Sequence, residues 1–354
     1  MAVENPGKLR VGVILGGVSS EREVSLESGR NIFSKMDRKK FDPAPVFMDS
    51  RCAFWEIPIK LVMRNSTADI EIDLHEEAKP LPYEALKDRF DFICIGLHGK
   101  YGEDGTLQGL LELLRIPYSG SGVLGSALGM DKFTSRKVLA MSGIDVPKTV
   151  PVDRRAWDGS ERAAILKRIE TDIGFPCVVK PTREGCSTAV KKVVSPAGIP
   201  DALASAFEWD NVAVVEEFIT GMEVTCGVLG NEEPRALTPS ETIPTQEILS
   251  LEDKFLYGQG ENKTPARVPE EMLRKIQDTA VRAYKVLGLR AYSRIDMFLC
   301  DERILVLEPN TLPGMTPSTV LFHQAAAEGL SQTDLISRII EFSLEAHRTK
   351  KGPL

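Results

Sequence analysis

Arg294-Ile295-Asp296-Met297-Phe298-Leu299 is followed, past the polar turn Asp301-Glu302, by Ile304-Leu305-Val306-Leu307-Glu308-Pro309-Asn310. Two apolar runs split by a short polar turn predict a β-hairpin. Asp296 is expected at the start of the first strand, with Glu308 and Asn310 at the end of the second. Antiparallel pairing brings those ends together, so two carboxylates and an amide oxygen converge at one point. Arg294 lies beside them, and the loop Thr311-Leu312-Pro313-Gly314 follows. Such a hard-oxygen set suits magnesium, which takes one or two carboxylates from a protein and completes its shell with substrate phosphates. The competing reading is a solvated hairpin with charged ends.

The rest of the chain gives that hairpin ample surroundings. Its 354 residues are enough for two or three domains. Hydrophobic residues at 42% and charged residues at 27% place it among soluble globular proteins. A net charge of −7 argues against a general nucleic-acid or anionic-membrane binder. The six cysteines, Cys52, Cys94, Cys177, Cys186, Cys226 and Cys300, show no paired metal spacing and mostly sit in apolar runs. They read as reduced core residues of a cytoplasmic protein. No apolar run approaches the roughly 18 residues of a membrane span. Lys8 and Arg10 precede Val11-Gly12-Val13-Ile14-Leu15, but that run is too short for a signal peptide and reads as a buried first strand.

Upstream, strand, Gly-Gly turn and helix follow one another from Val11 to beyond Ser25, which opens an α/β domain. Phe90 to Gly96 predicts a second buried strand. Leu107, Leu110, Leu111 and Leu114 keep the spacing of one buried helix face. Residues 40–90 carry prolines and scattered charge, and read as loops, short strands and part of a helix. Lys132 to Met141 predicts a helix, and Phe175–Lys180, Val212–Phe218 and Glu223–Leu229 predict strands. Residues 235–268 are polar and irregular, long for a connection, which predicts a lid over roughly 240–265. A helix is expected from Pro269 at its first position to Gly288, and a last one over about 332–347.

Four further clusters carry chemistry. Lys180 ends its strand facing Arg183-Glu184-Gly185-Cys186-Ser187-Thr188, a small-residue loop that suits phosphate oxygens. An ordinary strand-to-strand turn is the alternative. Glu216 and Glu217 end an apolar strand, where alternation sends them to opposite faces. The following Phe218-Ile219 backbone could hold an adenine and Glu223 the ribose hydroxyls; a solvent-facing strand end is the other reading. His98 reads either as structural or, with Glu103 and Asp104 nearby, as a group orienting a substrate. Gly16 to Glu23 follows the first strand, where open α/β sheets bind ligands.

Together these segments resemble the D-alanine–D-alanine ligases of the ATP-grasp superfamily. The blocks that carry the likeness are Gly16-Gly17-x-Ser19-x-Glu21-Arg22-Glu23-Val24-Ser25-Leu26, His98-Gly99-x-x-Gly102-Glu103-Asp104-Gly105, Met130-Asp131-Lys132, Lys180-Pro181-x-x-x-Gly185, and Arg294-Ile295-Asp296 with Glu308-x-Asn310-Thr311-x-Pro313-Gly314. Their order and spacing together make it specific, and it runs from Gly16 to about Leu321. The resemblance implies an α/β protein, α+β in its ATP-grasp part: an N-terminal parallel-sheet domain (1–131), then central (132–223) and C-terminal (224–354) ATP-grasp subdomains. It implies an enzyme that phosphorylates one D-alanine with ATP and joins it to a second for peptidoglycan precursors. Lys132, Lys180 and Lys254 would meet ATP phosphates, and Glu216, Phe218, Ile219 and Glu223 the adenine and ribose. Asp296, Glu308 and Asn310 would bind two magnesium ions, with manganese as a substitute. Arg294 and the Gly314 N–H would stabilise the oxyanion. Glu21, with Val24 and Ser25 beside it, would anchor the first D-alanine near His98, and Ser318-Thr319 would meet the second. The family is often homodimeric.

Several positions depart from the family pattern. Cys186 stands where a catalytic Ser is usual, and Phe255 replaces the last Tyr of the lid motif. A thiol is a weak donor and Phe has none. The hydrogen-bond network from those positions to Glu21 must be weakened, which opens D-lactate or another D-amino acid as second substrate. Pro309 replaces a small aliphatic residue, and Thr319 a Ser. A catalytically inactive nucleotide-binding relative is the alternative class; Lys180, Arg294, Asp296, Glu308 and Asn310 all being present argues against it.

Overall fold

Strand β1 (Leu9–Gly16) is almost wholly apolar because both faces of its sheet are covered: Val11, Val13, Ile14 and Leu15 are fully buried. The structure, a computed structural model, describes residues 7–185, 188–243 and 261–349. β1 lies between β2 (Phe41–Met48) and β5 (Phe92–Ile95), parallel to both. β3 (Phe54–Glu56) and β4 (Lys79–Leu81) add an antiparallel edge. The carboxyl ends of β1 and β5 therefore deliver Gly16–Glu21 and Gly96–Gly105 to one end of the sheet. Residues 40–90 hold more regular structure than their sequence suggests, including β2 and a helix over Thr67–Glu77. Pro43 and Pro45 hide β2. The Pro45 carbonyl accepts from Ile57 N–H on the β3 side, yet β3 pairs only with Val46–Met48. The donors missing at both prolines thus face an edge where the ladder has not begun.

The second sheet contains β6 (Thr149–Asp153), β7 (Cys177–Pro181), β8 (Lys191–Val193) and β9 (Val212–Glu217) in the order β6-β9-β7-β8, all antiparallel. Its buried face, with Val150, Val179 and Val215, packs on Ile199 and Leu203 of the helix Ile199–Ala206. The third sheet has β10 (Met222–Leu229), β11 (Arg235–Ala236), β12 (Ser240–Ile243), β13 (Glu261–Lys263), β14 (Tyr292–Cys300) and β15 (Arg303–Asn310). Its order is β13-β12-β10-β14-β15, with β11 beside β10. The helix Glu270–Val286 covers it through Ile276, Ala280 and Ala283. Pro269 caps that helix and is not its first residue, so Glu270 and Glu271 open it. The helix Lys132–Met141 spans its expected residues; its Leu139 packs into the core of the third sheet, although the chain then enters the second.

The hairpin forms, with one correction. Asp296 is not at a strand end: β14 begins four residues earlier, at Tyr292. Asp296 pairs with Glu308 and Arg294 with Asn310, while Met297 pairs with Val306. Leu307 is the extra residue of a β-bulge, which bends the strand and frees its local pairing.

Cys94, Cys177 and Cys226 are buried thiols in strands, and Cys52 and Cys300 are half-buried. Among the described residues no helix is long and apolar enough to cross a membrane.

The helix Arg22–Lys35 lies on β1 through Gly29, where a Cβ would overlap the Leu15 side chain. Gly29→Ala gains about 1 kcal/mol of helix propensity but must push helix and strand apart, at about 1–3 kcal/mol or more for overpacking. We expect a net loss of stability, read as a lower urea midpoint at unchanged slope; a midpoint above the parent's would refute this packing.

Candidate active site

Four side chains of the hairpin make one polar knot. Arg294 donates from Nε and Nη2 to the two carboxylate oxygens of Asp296, at 2.8 Å each. Thr225 of β10 donates to Asp296 Oδ1 at 2.6 Å, and Asn310 to Oδ2 at 2.9 Å. Glu308 lies opposite Asp296, with Oε2 3.4 Å from Lys132 Nζ. Lys132 also donates to the Glu184 carbonyl at 2.5 Å, so it reaches both the hairpin and the loop after β7. Among the described residues no group of three or more His, Cys, Asp or Glu gathers. A cation at Asp296, Glu308 and Asn310 would therefore take only part of its shell from the protein. That fits magnesium completed by phosphates and water. The donors crowding Asp296 mark a carboxylate whose charge requires positive partners.

Across from the hairpin, Lys180 on β7 and Glu216 on β9 pair at 2.8 Å between Nζ and Oε1. Arg136 binds Glu216 Oε2 from the other side. Burial pushes the Glu216 carboxyl up, but Arg136 and Lys180 outweigh it and hold it below the ordinary carboxylate range. Burial lowers the Lys180 ammonium below its usual value, with Glu216 opposing. Alternation separates the two glutamates as expected. Glu216 points inward, whereas Glu217 accepts from Lys148 N–H at 2.9 Å. Phe218 and Ile219 lie in the short connection from β9 to β10, where the second sheet passes into the third. Lys192 lies over the Phe218 ring, 4.0 Å from its centre. Glu223 follows on β10, opposite Phe298 and Thr242.

The N-terminal domain closes the third side. Ser19 donates to the His98 carbonyl at 2.8 Å and accepts from Glu21 N–H, joining the loops after β1 and β5. Ser25 accepts from His98 N–H at 2.9 Å and donates to the Glu21 carbonyl at 3.0 Å. The His98 ring is fully engaged within the protein. Nδ1 lies 3.0 Å from the Leu312 carbonyl, which can only accept, so Nδ1 carries the proton and Nε2 accepts from the Ser28 hydroxyl at 2.7 Å. Ser28 accepts in turn from Met315 N–H at 3.1 Å, and Asn31 donates to the Met315 carbonyl at 2.8 Å. Glu103 accepts from Gly99 N–H at 2.7 Å and from Leu312 N–H at 3.3 Å. Residues 312–315 are thus held on both flanks with Gly314 between, and among the described residues nothing accepts from the Gly314 N–H. Burial and the neighbouring Glu21 raise the Glu103 carboxyl to about 8, against its two N–H donors. The Glu21 carboxylate lies against Gly185, where a Cβ would overlap Oε1.

Val24 and Ser318 are half-buried, and Thr319 is buried at the start of the helix Val320–Ala327, donating to the Thr316 carbonyl at 3.1 Å. Cys186, Lys254, Phe255 and most of the lid over 240–265 lie outside the described residues. Lys132, Lys180, Glu216, Arg294, Asp296, Glu308 and Asn310 come together around one cleft, with Glu21, Ser25, His98 and Gly314 on its N-terminal side. Sequence reading missed Ser28, Asn31, Arg136 and Thr225. Only Arg136 had a signal, standing one helical turn after Lys132.

Comparison with solved structures places this arrangement. The VanG D-Ala:D-Ser ligase from Enterococcus faecalis superposes with a TM-score of 0.83 at 32% identity, covering 95% of this chain and 99% of its own. The D-alanine–D-alanine ligase from Bacillus anthracis complexed with ATP gives a TM-score of 0.72 at 32% identity, over 97% and 100%. Two sheets facing each other across lysines and carboxylates, behind a parallel-sheet domain, define an ATP-dependent ligase of the ATP-grasp class. Residues 10–121 match the D-ala D-ala ligase N-terminus model and residues 138–341 the D-ala D-ala ligase C-terminus model. A D-alanine–D-alanine ligase from Geobacillus thermodenitrificans is 37% identical over 97% of this chain and 98% of its own. D-alanine–D-alanine ligase A from Salmonella typhimurium is 35% identical over 96% and 97%. The chain belongs to the D-alanine–D-alanine ligase family, whose members use ATP as a substrate.

Two predictions follow from the N-terminal side. Burial, with Arg294 adding to it, lowers the His98 imidazole to about 4 from 6.5. A depressed folded value means stability that is present above pH 6.5 and lost as pH falls through 4, about 3 kcal/mol from this one group. The urea-unfolding free energy of His98→Gln should therefore fall less steeply than the parent's between pH 7 and 4; parallel curves would show that the buried imidazole does not titrate this way. Gly185→Ala must displace the Glu21 carboxylate. Its kcat/KM for D-alanine should drop about 100-fold with Tm within about 3 °C of the parent, whereas full activity would separate Glu21 from the substrate.

Proposed function

We propose that this enzyme makes D-alanyl-D-alanine from two D-alanines and ATP, through an acyl phosphate, for peptidoglycan precursors. The observation that carries the reading is the hairpin register, Asp296 opposite Glu308 and Arg294 opposite Asn310, with Lys132 reaching Glu308. Adenine and ribose lie at the Phe218-Ile219 connection and Glu223, at the junction of the two sheets. Glu216 has its carboxylate committed to Lys180 and Arg136, so it serves by placing Lys180, while Lys132, Lys180 and Lys254 meet the phosphates. Asp296, Glu308 and Asn310 would hold two magnesium ions, or manganese in their place, and the bound metal would supply charge neutralisation for the transferring phosphoryl group.

Glu21 anchors the ammonium of the first D-alanine, with Val24 and Ser25 shaping its pocket. A carboxylate oxygen of that first D-alanine bonds to the γ-phosphorus of ATP as the γ-phosphorus bond to the departing ADP oxygen breaks. The neutral amine of the second D-alanine then attacks the acyl carbon, and the carbonyl electrons move to oxygen. The Gly314 N–H and Arg294 stabilise that oxyanion, and its collapse expels phosphate, which takes the extra proton from the amine nitrogen as the amide forms. His98 works through others: neutral and doubly hydrogen-bonded, it holds residues 312–315 in place. Ser318 and the first N–H groups of the helix Val320–Ala327, beside Thr319, receive the second carboxylate, where a helix dipole favours an anion. The ranges 1–131, 132–223 and 224–354 serve as domains, each centred on one sheet, with β10 starting two residues before the last boundary. We place the enzyme in the cytoplasm as a homodimer, in keeping with its ATP use, its buried thiols and the habit of the family.

A second reading changes the acceptor. Phe255 and Cys186 lack the strong donors of the family pattern, and one structural neighbour is a D-Ala:D-Ser ligase. ADP release with D-alanine alone, then with D-serine or D-lactate added, with products identified from pH 6 to 9, decides between them. D-alanyl-D-alanine as the sole product at every pH supports the first reading; no D-alanine-dependent ADP release sinks both. Glu308→Gln should lower ligation at least about 1,000-fold with the fold intact, since one oxygen of a charge clamp is lost. Near-normal turnover at saturating magnesium would refute the metal assignment.

A further inference from the structure

Arg136 is buried and joins four elements. It leaves the helix Lys132–Met141, donates from Nε to the Leu307 carbonyl at 3.0 Å and from Nη1 to Thr149 Oγ1 at 3.1 Å, and binds Glu216 with the same nitrogen. Each partner has a place in the cleft. Leu307 is the bulged residue next to Glu308, Thr149 opens β6, and Glu216 holds Lys180. One guanidinium therefore links the hairpin on one wall to the phosphate-facing lysine on the other. Only a planar fork with several donors reaches three acceptors in such different directions.

Stability alone does not account for it. Among the described residues nothing accepts from the buried Nη2. Buried ion pairs commonly contribute little net stability, and an unmet buried donor costs more. Charge supplies the missing reason. Lys132, Arg136 and Lys180 stand against Glu216 and Glu308, which leaves the cluster one positive charge in excess; without Arg136 it is neutral. Glu216 would then belong to Lys180 alone, and the lysine would be drawn toward that carboxylate and away from an incoming phosphate.

We infer that Arg136 is a positioning residue for nucleotide binding: it shares Glu216 with Lys180 and ties that pair to the bulge beside Glu308, so that the lysine stays available to ATP phosphates. This rests on the proposed ATP-dependent ligation. The test uses the full-length enzyme with Arg136→Met, which removes the charge, and Arg136→Lys, which keeps the charge but cannot span the three acceptors. KM for ATP, kcat, ADP affinity by calorimetry with magnesium present, and Tm are measured for each. We expect Arg136→Met to raise KM for ATP and weaken ADP by about tenfold or more, with kcat changed less than about threefold, and Arg136→Lys to recover only part of that loss. KM and ADP affinity within about twofold of the parent in the folded variants, whatever their Tm, would overturn the inference and leave Arg136 a structural residue. Should Arg136→Met not fold, Arg136→Lys decides by the same criterion. A parent enzyme without D-alanine-dependent ADP release would instead overturn the ligase reading, while the ADP-binding comparison would still judge Arg136.

Discussion

The bulge at Leu307 is the point on which the cleft depends. Without it β14 and β15 would run in simple register, and Leu307 would take a place in the ladder. With it, Asp296 faces Glu308 and Arg294 faces Asn310, while Met297 and Val306 return to the core. The same irregularity turns the Leu307 carbonyl to the Arg136 guanidinium. A local break in pairing thus serves two ends: it gathers two carboxylates and an amide, and it anchors the helix that carries Lys132 and Arg136. Bulges recur beside active sites because they re-aim side chains without dissolving the sheet.

Around that point the protein buries charge in amounts a core would not tolerate singly. Glu216 survives burial because Lys180 and Arg136 take one oxygen each, and Asp296 because Arg294, Thr225 and Asn310 surround it. Asp296 is held by groups from three strands, its own included, and Glu216 by one strand and one helix. The cleft is consequently pre-shaped before nucleotide arrives, which limits the reorganisation needed when phosphate charge develops.

The N-terminal domain contributes rigidity more than reactive groups. Its parallel sheet ends in two loops stitched together by Ser19 and Ser25, and from that seam His98, Ser28, Asn31 and Glu103 grip residues 312–315. A neutral imidazole suits this task. Its Nδ1 proton and Nε2 lone pair match a carbonyl and a hydroxyl, and a positive ring beside Arg294 would be disfavoured. Glycine at 185 lets the loop after β7 come up against the Glu21 carboxylate, so the second sheet meets the loop after β1 there.

Much of this could be read from the chain alone. Apolar runs, Gly turns and helix caps set the order of strands and helices, and Asp296, Glu308, Asn310 and Lys180 stood out by residue type and spacing as groups worth locating, Lys132 through the family resemblance. Those features are local, and local chemistry is written in consecutive residues. The strand β2 escaped notice because its prolines break the usual propensity, and only the position of β3 makes them harmless. Arg136, Thr225, Ser28 and Asn31 gave little sign because their partners lie 13 to 301 residues away. The sequence by itself determined most of the elements that form and which charged side chains are at hand along them. The tertiary structure alone decided that Asp296 lies mid-strand, that Glu216 is spent on Lys180 and Arg136, and that His98 holds a loop. Each of those outcomes depends on which distant donor reaches a buried acceptor, a matter of packing that no stretch of chain contains.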